Sequence, residues 1–249
     1  MKDSHIHLER GPYTDEWLDR FVDHAVKTGM DEIWLLEHSY LFPEFVPMYD
    51  GILGRSRYVD DWFRRKAGKR SLPEYLDFAE RSKERDLPVK LRFGLEVCYF
   101  ENSEKLVREH KDKFDFLVGS VHFVDGFAFD HAKELWDNVD VDRGFRRFFE
   151  TSLSLAESGL FDGVAHPDSI KLFGHRPSFD LTPYYDSLAA ALERAGMYAE
   201  QNSGISRRTD AEAGMSAGLL AAMKRHGVRI MTASDAHCPE DVGKLALPL

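Results

Sequence analysis

Asp3-Ser4-His5-Ile6-His7 stands at the head of the chain, and the rest of the sequence is read outward from it. In an extended strand successive side chains point to opposite faces, so His5 and His7 share one face and Ile6 takes the other. A sheet or barrel offers a cation two nitrogens in this way. A lone His-x-His also fits a pair of surface histidines, so its meaning depends on whether other ligands arrive.

Outward from that strand, Gly11-Pro12-Tyr13 makes a turn. Thr14 can cap a helix with Asp15 and Glu16 in its first turn; Trp17, Phe21, Val22, Ala25 and Val26 share one face, and Gly29 ends it. The apolar run at 32–36 follows as a strand and delivers Glu37 and His38 at its end, completing a β-α-β unit. Residues 39–70 mix aromatic and arginine side chains between Gly and Pro and read as a long irregular segment leaving from His38, a candidate lid. Ser71 with Glu74 forms a capping-box pattern for a helix to about residue 85.

The alternation then repeats. Strands are expected at 89–97 with Glu96 near the end, at 114–118 running on to His122, at 161–165 before His166-Pro167-Asp168, at 197–201 before Asn202-Ser203-Gly204, and at 228–233 before Ser234-Asp235-Ala236-His237. Helices are expected near 103–110, 143–158, 181–195 and 211–226. Seven strands alternating with helices argue for an α/β fold, a parallel barrel or doubly wound sheet with its site at the strands' C-terminal ends.

Composition narrows the partners. One α/β domain accounts for all 249 residues, and no Pro/Ser/Gly-rich linker divides residues 1–249. With 33 basic and 43 acidic side chains the net charge is −10, and no long basic stripe is visible, so an extended nucleic acid is not the expected partner. Cys98 and Cys238 are too few and too far apart for a disulfide framework or a zinc ribbon, and suit a reduced compartment. With no apolar stretch of membrane-spanning or signal-peptide length, the expectation is a soluble cytoplasmic protein with a small ligand and no membrane partner.

The ionisable residues carry the chemistry. Of eleven histidines, His5, His7, His38, His122, His166 and His237 fall at or just after strand ends, joined there by Glu96 and Asp235. Each alone fits a structural role, but so many polar groups on one rim need partners, and a cluster of cations supplies them. Mixed imidazole and carboxylate ligands suit Zn, Mn or Fe. His24, His110, His131 and His226 lack that placement and read as solvated or core-edge histidines, and His175 stays undecided.

Asp3-x-His5-x-His7, Glu37-His38, Gly94-Leu95-Glu96, Gly119-Ser120-x-His122, His166-Pro167-Asp168 and Ser234-Asp235-Ala236-His237 resemble, in order, the motifs of the polymerase and histidinol phosphatase (PHP) family. The spacing is most similar to its stand-alone histidinol-phosphate phosphatase branch. The resemblance implies a distorted (β/α)7 barrel with two or three divalent transition metals. It implies one metal on His5, His7, Glu96 and Asp235, with Glu96 bridging to a second on His122 and His166, and a third on His38 and His237. Family members often carry another histidine a few residues past the His-x-His. Here Leu8-Glu9-Arg10-Gly11-Pro12-Tyr13 follows, and Glu9, on the same side as His5 and His7 if the strand persists, is the nearest substitute ligand; pairing of Glu9 with an arginine is the alternative.

The implied reaction is hydrolysis of L-histidinol phosphate to L-histidinol and phosphate, a step of histidine biosynthesis. The expected attacking group is a hydroxide bridging two cations, held by Glu96, Asp235 and His122. Arg207 and Arg176 are the first choices to complete the phosphate pocket, with Arg10 and Arg208 next. Asp168 or the 39–70 segment is expected to meet the substrate's ammonium and imidazole. Small nucleotides are an alternative substrate class, an amidohydrolase-like barrel is a rival enzyme class, and a metal-stabilised module without catalysis is the reading outside enzymes.

Overall fold

A computed structural model describes residues 1–209 and 212–245. Its frame is seven parallel strands in sequence order, β1 (Lys2–Ile6), β2 (Glu32–His38), β3 (Lys90–Cys98), β4 (Phe116–Ser120), β5 (Gly163–Val164), β6 (Tyr198–Asn202) and β7 (Arg229–Ala233). Among the described residues, backbone pairing between the first and last strands is confined to the C-terminal rim. There the His7 N–H donates to the Ala236 carbonyl at 2.8 Å, and the Ala236 N–H donates to His5 at 3.3 Å. The buried Asp3 carboxylate reinforces the seam by accepting from the N–H groups of Ser234 and Gly243, each at 2.9 Å. A nearly closed (β/α)7 barrel results, as expected.

Period-2 alternation explains why the interior divides into a floor and a functional rim. Trp34, Leu36, Phe116, Val118, Ala165 and Tyr198 form a separate apolar cluster inside the ring. One step further along the same inward-facing rows stand His38 after Leu36 and Glu200 after Tyr198, so the register that packs the floor also aims the polar rim inward. Gly94 and Gly163 make room for this floor: a Cβ on either would collide with the rings of Phe116 and Tyr198 respectively. The opposite strand faces, with Ile33, Leu35, Phe93 and Leu95, pack under the outer helices.

Those helices are α1 (Asp15–Lys27), α2 (Arg57–Lys66), α3 (Leu72–Lys83), α4 (Glu104–His110), α5 (Val141–Glu157), α6 (Thr182–Ala195) and α7 (Ala217–His226). Thr14 caps α1 by accepting from the Trp17 N–H at 3.4 Å, and Ser71 caps α3 by accepting from Glu74 at 3.3 Å. In α1, Leu18 joins the buried face and Val26 is left exposed. The start expected for α7 near residue 211 lies outside the described residues, but 212–216 are described and non-helical, and the helix begins at Ala217. No helix among the described residues is long and apolar enough to cross a membrane.

Residues 39–70 depart from the expected irregular loop. Two short 3-10 turns, Ser39–Leu41 and Pro43–Tyr49, lead into α2, and Phe42, Phe45, Tyr49, Val59 and Phe63 are buried in the main core. Burying each such side chain is worth about 1.5–3 kcal/mol. The segment is a folded wall of the cavity described below.

Candidate metal centre

Every strand of the ring contributes to the rim or sends its next few residues there. His5 ends its inward row in β1 and His7 follows; both are fully buried, and their Nε2 atoms lie 2.9 Å apart. His38 ends β2 directly beside Glu96 in β3, the two being register partners. His122 and His166 follow β4 and β5, and Asp235 and His237 follow β7. His166 and Asp235 have φ of 30° and 55°, left-handed values that cost a non-glycine residue energy and that bend the chain sharply at the strand ends. Gly204 lies against Asp235, where a Cβ would collide with the carboxylate.

Glu96 occupies the centre. Its Oε1 is 3.1 Å from His122 Nε2 and 3.0 Å from His166 Nε2. Its Oε2 faces the other way, 3.5 Å from the Nε2 atoms of both His5 and His7 and 3.3 Å from that of His38. Burial alone raises a carboxyl, but His38 and His5, with hydrogen bonds from His122 and His166, hold Glu96 well below the usual carboxylate range. Asp235 keeps about 21% of its side chain exposed; its partial burial raises the carboxyl, but His5, His237 and His166 outweigh that and hold it at about 2.

The donor atoms fall into three groups, each with ligand atoms within 4.8 Å of one another: His5, His7 and Asp235; Glu96, His122 and His166; and His7, His38 and His237. Glu9 lies beside two members of the third group, with Oε2 3.0 Å from His38 Nδ1 and Oε1 3.7 Å from His237 Nε2. Burial opposes its charge, yet His38, His237 and Lys66 hold Glu9 at about 2. Three buried polar atoms at this centre, His7 Nδ1, Glu96 Oε2 and His166 Nδ1, have no hydrogen-bond partner among the described residues. Imidazole nitrogens facing one another, buried polar atoms without partners and ionised carboxylates gathered in one place are the environment a divalent cation satisfies.

A second layer, which the motifs did not identify, fixes these rings. Glu200 in β6, fully buried, places its two oxygens 2.9 and 3.1 Å from His5 Nδ1 and is itself held by the Asn202 amide at 3.0 Å. Burial lowers an imidazole's pKa, but Glu200, Asp235 and Glu96 outweigh that and leave His5 well above its ordinary value. Asp130 plays the same part for His122, 2.6 Å from Nδ1. The loop bearing Glu9 is pinned by Arg70, which donates to the Glu9 and Gly11 carbonyls at 2.6 and 2.8 Å, and by Glu37, which accepts from the Leu8 N–H at 3.1 Å.

Above the cluster opens a cavity of about 610 Å³, bordered by Arg10, Lys66, Arg207 and Arg208 among its cations. Arg207 also donates to the carbonyls of Ser234 and Asp235, at 2.5 and 2.8 Å, so it grips the turn that carries Asp235. Arg176 is a correction: it does not border the cavity, is exposed, and donates to the neighbouring His175 carbonyl at 2.9 Å. Between His166 and Arg176 the chain makes a 3-10 turn at Ser169–Lys171; Ser169 and Leu172 still border the cavity, but residues 173–176 do not. Asp168 is likewise withdrawn, sealed at 4 % exposure in an ion pair with Lys171 at 3.0 Å. His131, set aside in the sequence as a core-edge residue, borders the cavity instead.

The PHP domain family matches residues 3–204. The chain belongs to the PHP family. A curated PHP relative from Deinococcus radiodurans, named "Probable histidinol-phosphatase", is 28% identical, the match covering 97% of this chain and 88% of the relative. The histidinol-phosphatase of Bacillus subtilis is 23% identical over 97% of this chain and 95% of its own length. Among solved structures, the histidinol phosphate phosphatase HisK of Lactococcus lactis, in complex with Zn, L-histidinol and phosphate, superposes with a TM-score of 0.68 at 19% identity, covering 96% of this chain and 86% of that one. A candidate histidinol phosphatase HisK from Listeria monocytogenes superposes at 0.79 with 18% identity over 98% of both chains. At those identities the superpositions speak for the PHP fold.

Proposed function

We propose that this chain is a metal-dependent phosphomonoester hydrolase whose substrate is L-histidinol phosphate, cleaved to L-histidinol and phosphate in histidine biosynthesis. The observation that carries the reading is the position of Glu96, whose two oxygens face two different groups of imidazoles 3.0–3.5 Å away. One carboxylate shared in this way is the arrangement a multinuclear cation site requires. The histidinol-phosphatase names of the Deinococcus and Bacillus relatives support the substrate.

In this reading His5, His7, Glu96 and Asp235 hold one cation, and Glu96, His122 and His166 a second. His38, His237 and Glu9 hold a third, with His7 adjoining it. The ions are two or three of Zn, Mn or Fe. Bound cations supply Lewis acidity, drawing charge from phosphoryl oxygens and lowering the pKa of water from about 15.7 towards 7.

The chain's own groups do the rest. Glu200 and Asp130 accept from Nδ1 of His5 and His122, which keeps each ring's Nε2 directed at the centre as the nitrogen that would bind a cation once its proton is displaced. Arg207, Arg208, Arg10 and Lys66 border the cavity and compensate the phosphate charge, the guanidinium forks matching paired phosphate oxygens. Arg207 does this while bonded to the Asp235 turn, which couples phosphate binding to the position of that ligand. The 1–249 chain acts as one catalytic domain in the cytoplasm, where its two thiols stay reduced.

Release of inorganic phosphate from a panel of phosphomonoesters by metal-loaded protein tests the proposal. L-Histidinol phosphate is expected to be the preferred substrate, and a protein that leaves every phosphomonoester intact contradicts the assignment.

A further inference from the structure

The metal cluster and cations account for one end of the cavity. The other end is aromatic. Tyr58, Trp62 and Lys66 recur at four-residue spacing along α2 and therefore share a face, and all three border the cavity. The adjacent face of α2 buries Val59 and Phe63, which fixes the helix in rotation. Trp62 meets Tyr40 at 5.0 Å between ring centroids, His131 at 4.7 Å and Phe123 at 6.0 Å. His131 in turn lies 5.4 Å from Phe123 and 5.9 Å from Tyr58. Tyr58 is 41% exposed, one of few large hydrophobic side chains left open to solvent, and it stands at this cavity.

Two features separate this box from ordinary core packing. It borders open volume, in a cavity of about 610 Å³ that far exceeds what a phosphoryl group fills. It also contains a polar group without a hydrogen-bonding partner: neither ring nitrogen of His131 makes a hydrogen bond among the described residues, with Asp130 Oδ1 3.9 Å from Nε2. An imidazole in such a place has hydrogen-bonding capacity left for a ligand. Asp168, the acidic contact expected from the sequence, is spent on Lys171 and on the Ser216 N–H at 2.7 Å.

Resting on the phosphatase reading above, we propose that Tyr40, Tyr58, Trp62, Phe123 and His131 form the leaving-group subsite, and that it selects phosphate esters carrying a flat nitrogen heterocycle. The heterocycle packs against the rings, where π contacts favour an aromatic or cationic partner over an alkyl chain. His131 supplies the hydrogen bond to a ring nitrogen. An imidazole and a nucleobase share this chemistry, and the experiment separates them.

The full-length, metal-loaded protein is assayed on L-histidinol phosphate, adenosine 5′-monophosphate and glycerol 1-phosphate, as wild type and as Trp62→Leu and His131→Phe. The readout is kcat/KM for the better heterocyclic ester divided by that for glycerol phosphate. This ratio is expected to fall roughly fivefold to tenfold in each variant, with metal content retained. Trp62→Phe and His131→Gln, which keep a ring and a hydrogen-bonding group respectively, are expected to retain most of it. An unchanged ratio in folded, metal-loaded Trp62→Leu and His131→Phe overturns the proposal. If the wild type prefers adenosine 5′-monophosphate and the variants still lose the preference, the subsite stands and the histidinol reading fails. A measurement on the wild type alone covers variants that do not fold: inhibition by L-histidinol or adenosine is expected to be at least about fivefold stronger than by L-leucinol, and equal inhibition overturns the subsite.

Discussion

The Nε2 atoms of His5 and His7 face each other at 2.9 Å with neither ring exposed to solvent. Glu200 accepts from His5 Nδ1, so Nε2, facing its neighbour, is the nitrogen whose proton a cation would displace. Two imidazoles held in this way are an incomplete arrangement that a cation completes. Glu200→Gln should therefore weaken metal binding by about 10- to 100-fold, because the amide can donate to Nδ1 and turn the His5 tautomer around. Titration of the stripped protein with Zn, followed by a competing chelator, measures the change.

Glu96→Gln removes the shared charge between two groups. Both adjoining cations should be lost or loosened, and kcat should fall by roughly a hundredfold or more. Elemental analysis beside steady-state phosphate release distinguishes lost metal from lost chemistry.

The two candidate arginines are expected to differ. Arg207→Ala should raise KM for the phosphate ester and also lower metal occupancy, since Arg207 holds the carbonyls flanking the Asp235 turn. Arg176→Ala should change neither, because Arg176 is exposed and away from the cavity. Kinetics and metal content of the two variants side by side check this.

Acid should strip the site. Burial lowers an imidazole's pKa, but Asp130 and Glu96 outweigh it and push His122 up to about 10. A raised folded pKa means that protonated His122 stabilises the metal-free fold fully below its unfolded value near 6.5, and that this stability is lost as pH rises towards 10. Cations compete with those same protons, so metal affinity moves the opposite way and climbs with pH. Melting curves between pH 6 and 10 should show the stripped protein losing stability while the metal-loaded protein widens its advantage over it.

Asp168 and Lys171 pair at 3.0 Å with both side chains about 5% exposed. Asp168→Asn strands a buried ammonium and should cost about 3–5 kcal/mol of folding stability, read from urea denaturation midpoints.

The sequence carried the rim further than the walls. His5, His38, Glu96, His122 and Asp235 are legible because each lies near the end of a strand or just beyond it, and a parallel topology gathers those ends on one rim. Glu200 sits inside an alternating strand with Asn202 on the same face, a signal that was present, yet a carboxylate in mid-strand has no motif to mark it. Asp130 lies in the irregular stretch between β4 and α5, where nothing local announces that it will meet His122. In α2 the pairs Tyr58 and Trp62, and Val59 and Phe63, have helical spacing, but Gly51, Gly54 and Gly68 around them and the arginines among them read as loop. Proximity in sequence to His166 points to Arg176, but nothing in residues 167–175 marks the 3-10 turn that lies between them.

The most direct measurement is phosphate release from L-histidinol phosphate by one preparation before stripping with a chelator, after stripping, and after reconstitution, with metal content determined at each stage. The account predicts two or three divalent cations per chain in the active protein, loss of turnover on stripping and its return on reloading. Full activity in protein freed of metal would contradict it.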